Sequence, residues 1–239
     1  MSILRLQQKI REKKTPLALG LAAEECRCGP ENLSRTLYEA GLRVLEAAGD
    51  LLPAVYLHAE SYLRCGAAGF SALVQLAEAG QARGLYVIAD CRAADSSAWL
   101  QGIPAADAVT VTPYLGTFEV PEDKAVFAVV RSAGAHCGEV QNLMAGDRRL
   151  YQAVGEQLVR RGAGLVVETG YSLDIREMRR RAEKAFLIVT GADGEAAGYA
   201  FDDYGRGALA VDDNIQKADD PGEAARQAVK AMKQWVTVL

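Results

Sequence analysis

The amino-acid sequence predicts an α/β fold, a single (β/α)8 TIM barrel, and three observations support this prediction. Short apolar runs alternate with longer amphipathic runs along the whole chain, as in proteins built from repeated βα units. Eight of the short runs are apolar enough to form strands that are buried on both faces. A length of 239 residues suits one such barrel, although it would also suit two small domains. An open doubly wound sheet is the alternative, but no G-x-G-x-x-G motif follows the first strand.

The elements follow one another in a regular order. The predicted strands begin near residues 17, 54, 85, 108, 125, 164, 185 and 207. The predicted helices that carry apolar residues on one face cover 32–48, 70–84 and 147–162, and a strongly charged helix is predicted over 174–183. Gly84 ends the second of these helices as a C-cap, and Gly162 ends the third.

The start of the last helix is clearly marked. Asp220 is suited to the N-cap, Pro221 to the first helical position, and Glu223 completes a predicted capping box. The residues expected to form its buried stripe are Ala225, Val229, Met232 and Trp235.

Composition limits the classes of function. The net charge of −4 gives no basic footprint for nucleic acid or for an acidic membrane surface. No segment reaches membrane-spanning length, and the N-terminus lacks the apolar core of a secretory signal. No linker or low-complexity segment divides the chain, so residues 1–239 are expected to form one domain.

Cysteine and histidine usage indicates a cytoplasmic protein without a metal centre. The five cysteines are odd in number and irregularly spaced, which favours reduced thiols in a cytoplasm. Cys26 and Cys28 lack the C-x-x-C spacing of a zinc site. His58 and His136 are the only histidines and stand far apart in sequence, so a histidine-based triad or metal cluster is not expected.

The third predicted strand carries charges at its carboxyl end. The apolar run that follows Gly84 ends in Asp90, with Arg92 two residues later and Asp95 three residues after that. Because side chains alternate along a strand, Asp90 and Arg92 should point the same way. The carboxyl ends of parallel strands carry the chemistry of α/β folds, although an ordinary structural ion pair would give the same pattern.

Five segments of the framework occur in the same order as in a known family. They are Pro53-Ala-Val, Val87-Ile-Ala-Asp90, Ala106-Asp-Ala-Val-Thr-Val-Thr-Pro-Tyr-Leu-Gly116, Val126-Phe-Ala-Val-Val130 and Gly205-Arg-Gly-Ala-Leu209. In these segments the chain resembles the orotidine 5′-phosphate decarboxylases, particularly the longer bacterial branch. The resemblance implies decarboxylation of orotidine 5′-phosphate to uridine 5′-phosphate in pyrimidine biosynthesis, without a cofactor. It also implies a homodimer whose barrel mouths lie at or near the interface.

The positions that carry the family's chemistry differ. Where the family's third strand ends in Asp-x-Lys-x-x-Asp, Asp90 and Asp95 match both acids, but Arg92 replaces the lysine that delivers the proton. Tyr56 replaces the ribose-side lysine of the second strand. Asn214 stands at the eighth-strand arginine that grips the phosphate. These replacements suggest that the family's reaction is no longer selected.

Further replacements concern the loops that usually hold phosphate. Thr112 stands at the fourth-strand asparagine of the family, and Asp193 lies in the loop after the seventh strand. The two loops after strands seven and eight offer carboxylates, which would repel a phosphate dianion: Asp193, Glu195, Asp212 and Asp213. The resemblance therefore assigns the catalytic positions to Asp90, Arg92 and Asp95. It assigns the substrate-binding positions to Tyr56, Thr112, Asp193 and Asn214, and no metal is expected.

Arginine stays charged at physiological pH and is a very poor general acid. We therefore expect Arg92 to form a structural ion pair with Asp90, within ion-pair distance and largely enclosed. If the pair is enclosed, Arg92→Ala should cost about 3–5 kcal/mol because it leaves a buried carboxylate without its partner.

Three functions remain open at this point. The first is a divergent barrel without decarboxylase activity that binds a small molecule or has a regulatory role. The second is a functional decarboxylase with an atypical site. The third is a metal-dependent sugar-phosphate enzyme, because oxygen-rich clusters suit Mg²⁺. The acids that could gather near the mouth are Glu24, Asp90, Glu168, Asp193, Asp212 and Asp213.

Overall fold

A computed structural model describes residues 2–24, 31–115, 118–168, 172–191, 194–202 and 207–238. Within these residues, eight parallel strands close into a barrel. The barrel strands are β1 (Leu17–Leu21), β2 (Ala54–Leu57), β3 (Tyr86–Ala93), β4 (Ala108–Val111), β5 (Ala125–Arg131), β8 (Gly164–Glu168), β9 (Leu187–Thr190) and β10 (Ala208–Asp212). Their order around the barrel is β1-β10-β9-β8-β5-β4-β3-β2. The predicted (β/α)8 barrel is confirmed, and each strand begins within two residues of its predicted start.

Helices surround the barrel. They are α1 (Ser2–Lys13), α2 (Leu33–Ala48), α3 (Ala59–Leu63), α4 (Gly66–Ala82), α5 (Ser96–Gly102), α6 (Cys137–Gln141), α7 (Leu150–Arg160), α8 (Ser172–Arg181), α9 (Gly194–Gly198), α10 (Asn214–Lys217) and α11 (Pro221–Met232). Short 3-10 turns occupy Gly49–Leu51 and Pro113–Leu115. None of the described helices combines the length and the apolar character that crossing a membrane requires.

Alternation along the strands divides the core into two layers. Outward residues such as Leu19, Val55 and Val87 pack between the barrel and the helices. Inward residues fill the barrel itself, and Tyr56, Ile88 and others form a separate buried cluster there. The next inward positions toward the carboxyl ends of the strands therefore form the mouth of the barrel.

Helix α1 closes the opposite, amino-terminal end, which we call the floor. Leu6 and Ile10 extend the inner cluster. The Ser2 hydroxyl is 2.6 Å from the Tyr86 hydroxyl and donates to the Asp107 carbonyl oxygen at 3.1 Å. The Asp107 carboxylate accepts the Val87 N–H at 2.9 Å and pairs with Arg5. The floor is thus both apolar and hydrogen-bonded.

Two details of the helices differ from the prediction. A hairpin of β6 (Met144–Ala145) and β7 (Arg148–Arg149) precedes α7, so Asp147 lies in a turn and does not start the helix. In α11 Asp220 does cap the Glu223 N–H at 2.9 Å. The Glu223 carboxylate, however, accepts hydrogen bonds from Arg226 and Gln227, so the expected reciprocal half of the capping box does not form.

The predicted buried stripe of α11 is partly wrong. Ala225 and Met232 are buried, and Val229 packs against the core. Trp235 lies beyond the helix and is half exposed, because its ring lies against Gly194 and outside the core.

Candidate active site at the barrel mouth

Asp90 is the buried centre of the mouth. It occupies the inward position that follows Tyr86 and Ile88 on β3, and only 4% of it is exposed. The Thr110 hydroxyl donates to its Oδ1 at 2.7 Å. Burial alone would raise the pKa of Asp90, but its interactions with His58, Arg92 and Thr110 outweigh burial and hold the pKa below its usual value. Asp90 is therefore a carboxylate.

Arg92 reaches Asp90 through an irregular backbone. The pairing of β3 with β4 shifts register between Ala89 and Ala93, and Arg92 adopts a φ of 46°, in the left-handed region that is costly for a residue with a side chain. The Arg92 N–H donates to the Thr110 hydroxyl at 2.9 Å, which holds this bulge in place. A bulge of this kind commonly re-aims a side chain near an active site.

The predicted Asp90–Arg92 ion pair is present, but the pair is not buried as a whole. Arg92 Nη2 lies 3.3 Å from Asp90 Oδ2. The Asp90 side chain is 3% exposed, whereas the Arg92 side chain is 38% exposed. The expectation of a largely enclosed pair is therefore wrong for Arg92, because the bulge carries its guanidinium to the outer surface of the mouth.

Glu168 completes the environment of Arg92 from across the barrel. The guanidinium donates to both carboxylate oxygens of Glu168, at 3.0 Å and 3.1 Å. Burial lowers the pKa of Arg92, but the hydrogen bonds to Glu168 and the charge of Asp90 outweigh burial and raise it above its usual value. Arg92 is consequently a fixed positive charge and has no proton to give at neutral pH.

His58 joins the same network, contrary to the expectation that it stands alone. Its Nε2 lies 2.7 Å from Asp213 Oδ1, and its Nδ1 lies 3.6 Å from Asp90 Oδ2. Burial would lower the pKa of His58, but the contacts with the two carboxylates raise it to about 9. Asp213 can approach this closely because a side chain at Gly20 would collide with its carboxylate. We call Asp213, His58, Asp90, Arg92 and Glu168 the mouth network.

Tyr56 lies beneath the mouth network. Its ring meets the His58 ring edge-on, with centroids 5.2 Å apart. The side chain is buried in the inner cluster, and the hydroxyl has no hydrogen-bond partner among the described residues. Burial and the nearby carboxylate of Asp90, which approaches the hydroxyl without reaching hydrogen-bond geometry, raise the pKa of Tyr56 against the opposing effect of Arg92. Its hydroxyl therefore keeps its proton.

Asp95 takes no part in the mouth network. It caps α5, where its carboxylate accepts hydrogen bonds from the Ser97 N–H and hydroxyl, each at 2.9 Å. These bonds lower the pKa of Asp95. Within the described chain Asp95 is an exposed capping residue, and its contact with a second subunit stays a prediction.

Two further predicted substrate-binding residues, Thr112 and Asn214, are also outside the network. Thr112 is half-buried after β4, and its N–H donates to the Ala93 carbonyl oxygen at 2.8 Å. Asn214 is exposed at the start of α10 and lines a cavity of about 540 Å³ together with Lys217 and Trp235. Asp193 lies outside the described residues. Of the seven predicted site residues, the structure brings Tyr56, Asp90 and Arg92 together.

The described acids do not form a metal site. Glu24 accepts a hydrogen bond from Gln216 at 3.2 Å, and Glu168 is bridged to Arg92. Among the described residues, no group of three or more His, Cys, Asp or Glu side chains could hold a metal ion.

Comparison with known proteins shows which proteins the chain resembles. No family model matches the chain. An orotidine 5′-phosphate decarboxylase of Thermomicrobium roseum is 29% identical over 209 residues, which cover 78% of this chain and 74% of that protein. One from a Roseiflexus species is 29% identical over 226 residues, which cover 86% of this chain and 81% of that protein.

A solved structure agrees with these relatives over the whole length. The orotidine 5′-phosphate decarboxylase of Leishmania donovani superposes with a TM-score of 0.83 at 26% identity, covering 98% of each chain. In sequence and in fold the chain is therefore similar to the orotidine 5′-phosphate decarboxylases. It diverges from them at the mouth, because Arg92, Tyr56 and Asn214 depart from the family pattern that the sequence resemblance identified.

Proposed function

We propose that this protein keeps the barrel of the orotidine 5′-phosphate decarboxylases but does not decarboxylate orotidine 5′-phosphate, and that its mouth binds another small molecule. The proposal rests mainly on the position, the ion pairs and the pKa of Arg92. It stands at the lysine position, is bridged to Glu168 and Asp90, and has a raised pKa. A general acid works best when its pKa lies near the operating pH, and Arg92 is far from that condition.

Loss of the phosphate contacts supports the same conclusion. Asn214 stands at the position of the family's phosphate-binding arginine, directly after Asp212 and Asp213. Binding energy from the phosphate would be needed to stabilise the transition state. Each missing charged hydrogen bond removes roughly 1.5–3 kcal/mol, and the carboxylates add repulsion.

Calorimetric titration of the purified protein with uridine 5′-phosphate tests the proposal at the level of binding. We expect no heat of binding at millimolar nucleotide, and no growth of a uracil-requiring strain that expresses the chain. Tight binding of the nucleotide, or complementation, would overturn the proposal.

One observation favours a second candidate, a decarboxylase with an atypical proton donor. His58 has a pKa of about 9 and lies 3.6 Å from Asp90, so a protonated imidazole stands close to the position of the missing lysine. In that case the wild-type protein would be active, and His58→Gln would abolish activity, while His136→Gln, at an exposed histidine outside the mouth network, would leave it unchanged.

We also propose a homodimer that forms through the mouth side of the barrel. Tyr114 and Leu115 are exposed apolar residues just after β4, at the same end of the barrel as Asp95. Exposed apolar patches often mark contact surfaces. Light scattering at micromolar concentration should give the mass of two chains, and a monomer would count against this arrangement.

Two further points remain proposals. We propose that residues 1–239 form one domain, since a single barrel uses strands from residue 17 to residue 212. The odd number of irregularly spaced cysteines supports a cytoplasmic location.

A further inference from the structure

The charged groups of the mouth are already paired with one another. Arg92 is bonded to Glu168 and Asp90, and His58 is bonded to Asp213 and faces Asp90. With His58 protonated, the mouth network holds three carboxylates and two cations, and thus one negative charge in excess. An anionic ligand would have to break these pairs and would meet that excess charge.

Two neutral hydroxyls in the same region are left without partners. Tyr56 Oη and Thr190 Oγ1 are both enclosed and have no hydrogen-bond partner among the described residues. Tyr56 is 1% exposed and Thr190 is 5% exposed. Buried polar groups are nearly always hydrogen-bonded, so these two indicate a missing partner.

Both hydroxyls belong to the inner wall of the mouth. Tyr56 packs in the inner cluster, and the charges of Asp90, Arg92 and Glu168 all act on its hydroxyl. Thr190 pairs in register with Glu168 and follows the inward residue Ile188 by two positions, so it also faces inward. The unsatisfied hydrogen-bonding capacity of the mouth is therefore neutral and lies at the depth of the Arg92–Glu168 bridge.

We propose that the inner mouth binds a small uncharged polar ligand, rich in hydroxyl or carbonyl groups and without phosphate, which contacts the Tyr56 and Thr190 hydroxyls. This inference rests on the proposed function, because it names the ligand class of the same site. It differs from a nucleotide site in that the ligand carries no charge.

The Arg92–Glu168 bridge lies beside this site. Both hydroxyl oxygens are enclosed, so the proposal requires side chains of the mouth to move before a ligand can contact them. A cavity of about 260 Å³ adjoins Arg92 and Asp90, and its outer side carries Glu60 and Arg64, which have opposite charges. With 38% of its side chain exposed, Arg92 can turn toward this space. The volume exceeds the roughly 30 Å³ share of one water and suits a small ligand.

Matched pairs of probes test the proposal by calorimetry. The pairs are ribose with ribose 5-phosphate, and uridine with uridine 5′-phosphate. We expect at least one uncharged member to bind and its phosphorylated partner to bind at least about tenfold more weakly. Tyr56→Phe and Thr190→Val should each weaken binding by about tenfold, which is the loss expected for one hydrogen bond.

A control variant separates this effect from general damage. Tyr86→Phe removes the hydroxyl of another buried inner tyrosine, whose partner is Ser2 at the floor, and should leave probe binding unchanged. Melting temperatures of all three variants establish that they are folded.

The proposal fails under any of three results. These are no binding by any uncharged probe, stronger binding by the phosphorylated members, and binding that Tyr56→Phe and Thr190→Val leave unchanged. Its failure is distinct from failure of the proposed function. Decarboxylation of orotidine 5′-phosphate or tight binding of uridine 5′-phosphate would overturn the proposed function, whereas an inactive protein that binds neither the nucleotide nor any uncharged probe overturns only this inference.

Discussion

The two ends of the barrel each contain a buried aspartate, but the surroundings of the two aspartates differ. Each end buries an aspartate beside an arginine, Asp107 with Arg5 at the floor and Asp90 with Arg92 at the mouth. At the floor, Asp107 also accepts the Val87 N–H, and the Arg5 side chain is 51% exposed. At the mouth, Asp90 accepts the Thr110 hydroxyl, and Arg92 adopts a left-handed backbone with its side chain 38% exposed.

The inner tyrosines show the same contrast. The Tyr86 hydroxyl at the floor is hydrogen-bonded to Ser2, whereas the Tyr56 hydroxyl below the mouth has no partner among the described residues. The inner tyrosine of the floor is therefore satisfied and that of the mouth is not, although the floor end also contains an unsatisfied buried hydroxyl at Thr15 and a left-handed residue at Lys14. The departures from the family pattern lie at the mouth, while Asp107 belongs to a segment that resembles the family.

The largest effect on stability should come from the floor. Asp107→Ala leaves the Val87 N–H buried without an acceptor and removes the partner of the half-exposed Arg5, so it should lower the free energy of unfolding by about 2–4 kcal/mol. Urea denaturation measures this loss. Asp95→Ala, which removes an exposed helix cap, is the control and should cost about 1 kcal/mol. Equal losses of unfolding free energy in the two variants would show that the contacts of Asp107 stabilise the fold no more than an exposed helix cap does.

Stability should also depend on pH through His58. Its pKa rises from 6.5 to about 9 on folding, so its contribution is complete below pH 6.5 and is lost as the pH rises through 9. At about 1.4 kcal/mol per unit, the loss is at most about 3 kcal/mol. Urea midpoints across this range should fall more for the wild type than for His58→Gln. If the urea midpoints of the two proteins change equally with pH, the carboxylates of Asp213 and Asp90 do not raise the pKa of His58.

Arg92→Ala should have a smaller effect than sequence reasoning predicted. Asp90 keeps the Thr110 hydroxyl and His58 as partners, and Arg92 is partly solvated. We expect a loss of about 1–2 kcal/mol, below the roughly 3–5 kcal/mol for breaking an enclosed pair. Denaturant unfolding of Arg92→Ala beside Glu168→Gln measures it. If Arg92→Ala loses as much unfolding free energy as Asp107→Ala, the ion pair at the mouth stabilises the fold as much as the one at the floor.

The smallest effect should be that of Tyr56→Phe on the unliganded protein. Removing a hydroxyl that has no partner should leave stability unchanged or slightly raise it. Tyr86→Phe removes a paired hydroxyl and should cost about 0.5–1.5 kcal/mol. The two variants remove the same atom from the two ends of the barrel, so comparing their melting temperatures tests the contrast directly. A greater loss for Tyr56→Phe would contradict it.

The sequence predicted the barrel well because each strand and helix leaves a local apolar pattern. It missed the hairpin at 144–149, whose two-residue strands are too short for a pattern, although Gly146-Asp147 is a typical two-residue turn and Gly146 has a φ of 73°. The error at Asp147 came from extending the α7 pattern too far toward the N-terminus.

The mouth was predicted only where its residues are close in sequence. Asp90 and Arg92 are two residues apart and could be paired from their position at a strand end. His58 and Asp213 are 155 residues apart, and they meet because β1 brings β2 and β10 together in the closed barrel. Arg92 and Glu168 meet across the mouth, which depends on the bulge in β3. Neither register nor bulge can be derived from apolar patterns.

The most direct test of the central claim is the decrease in orotidine 5′-phosphate absorbance in the presence of the purified protein. We predict that neither the wild type nor Arg92→Lys decarboxylates the nucleotide above the uncatalysed rate, because restoring a lysine supplies a proton donor but no phosphate contact. Turnover by the wild type would contradict the account. Turnover by Arg92→Lys alone would show that the loss lies in the proton donor and that the nucleotide is still held.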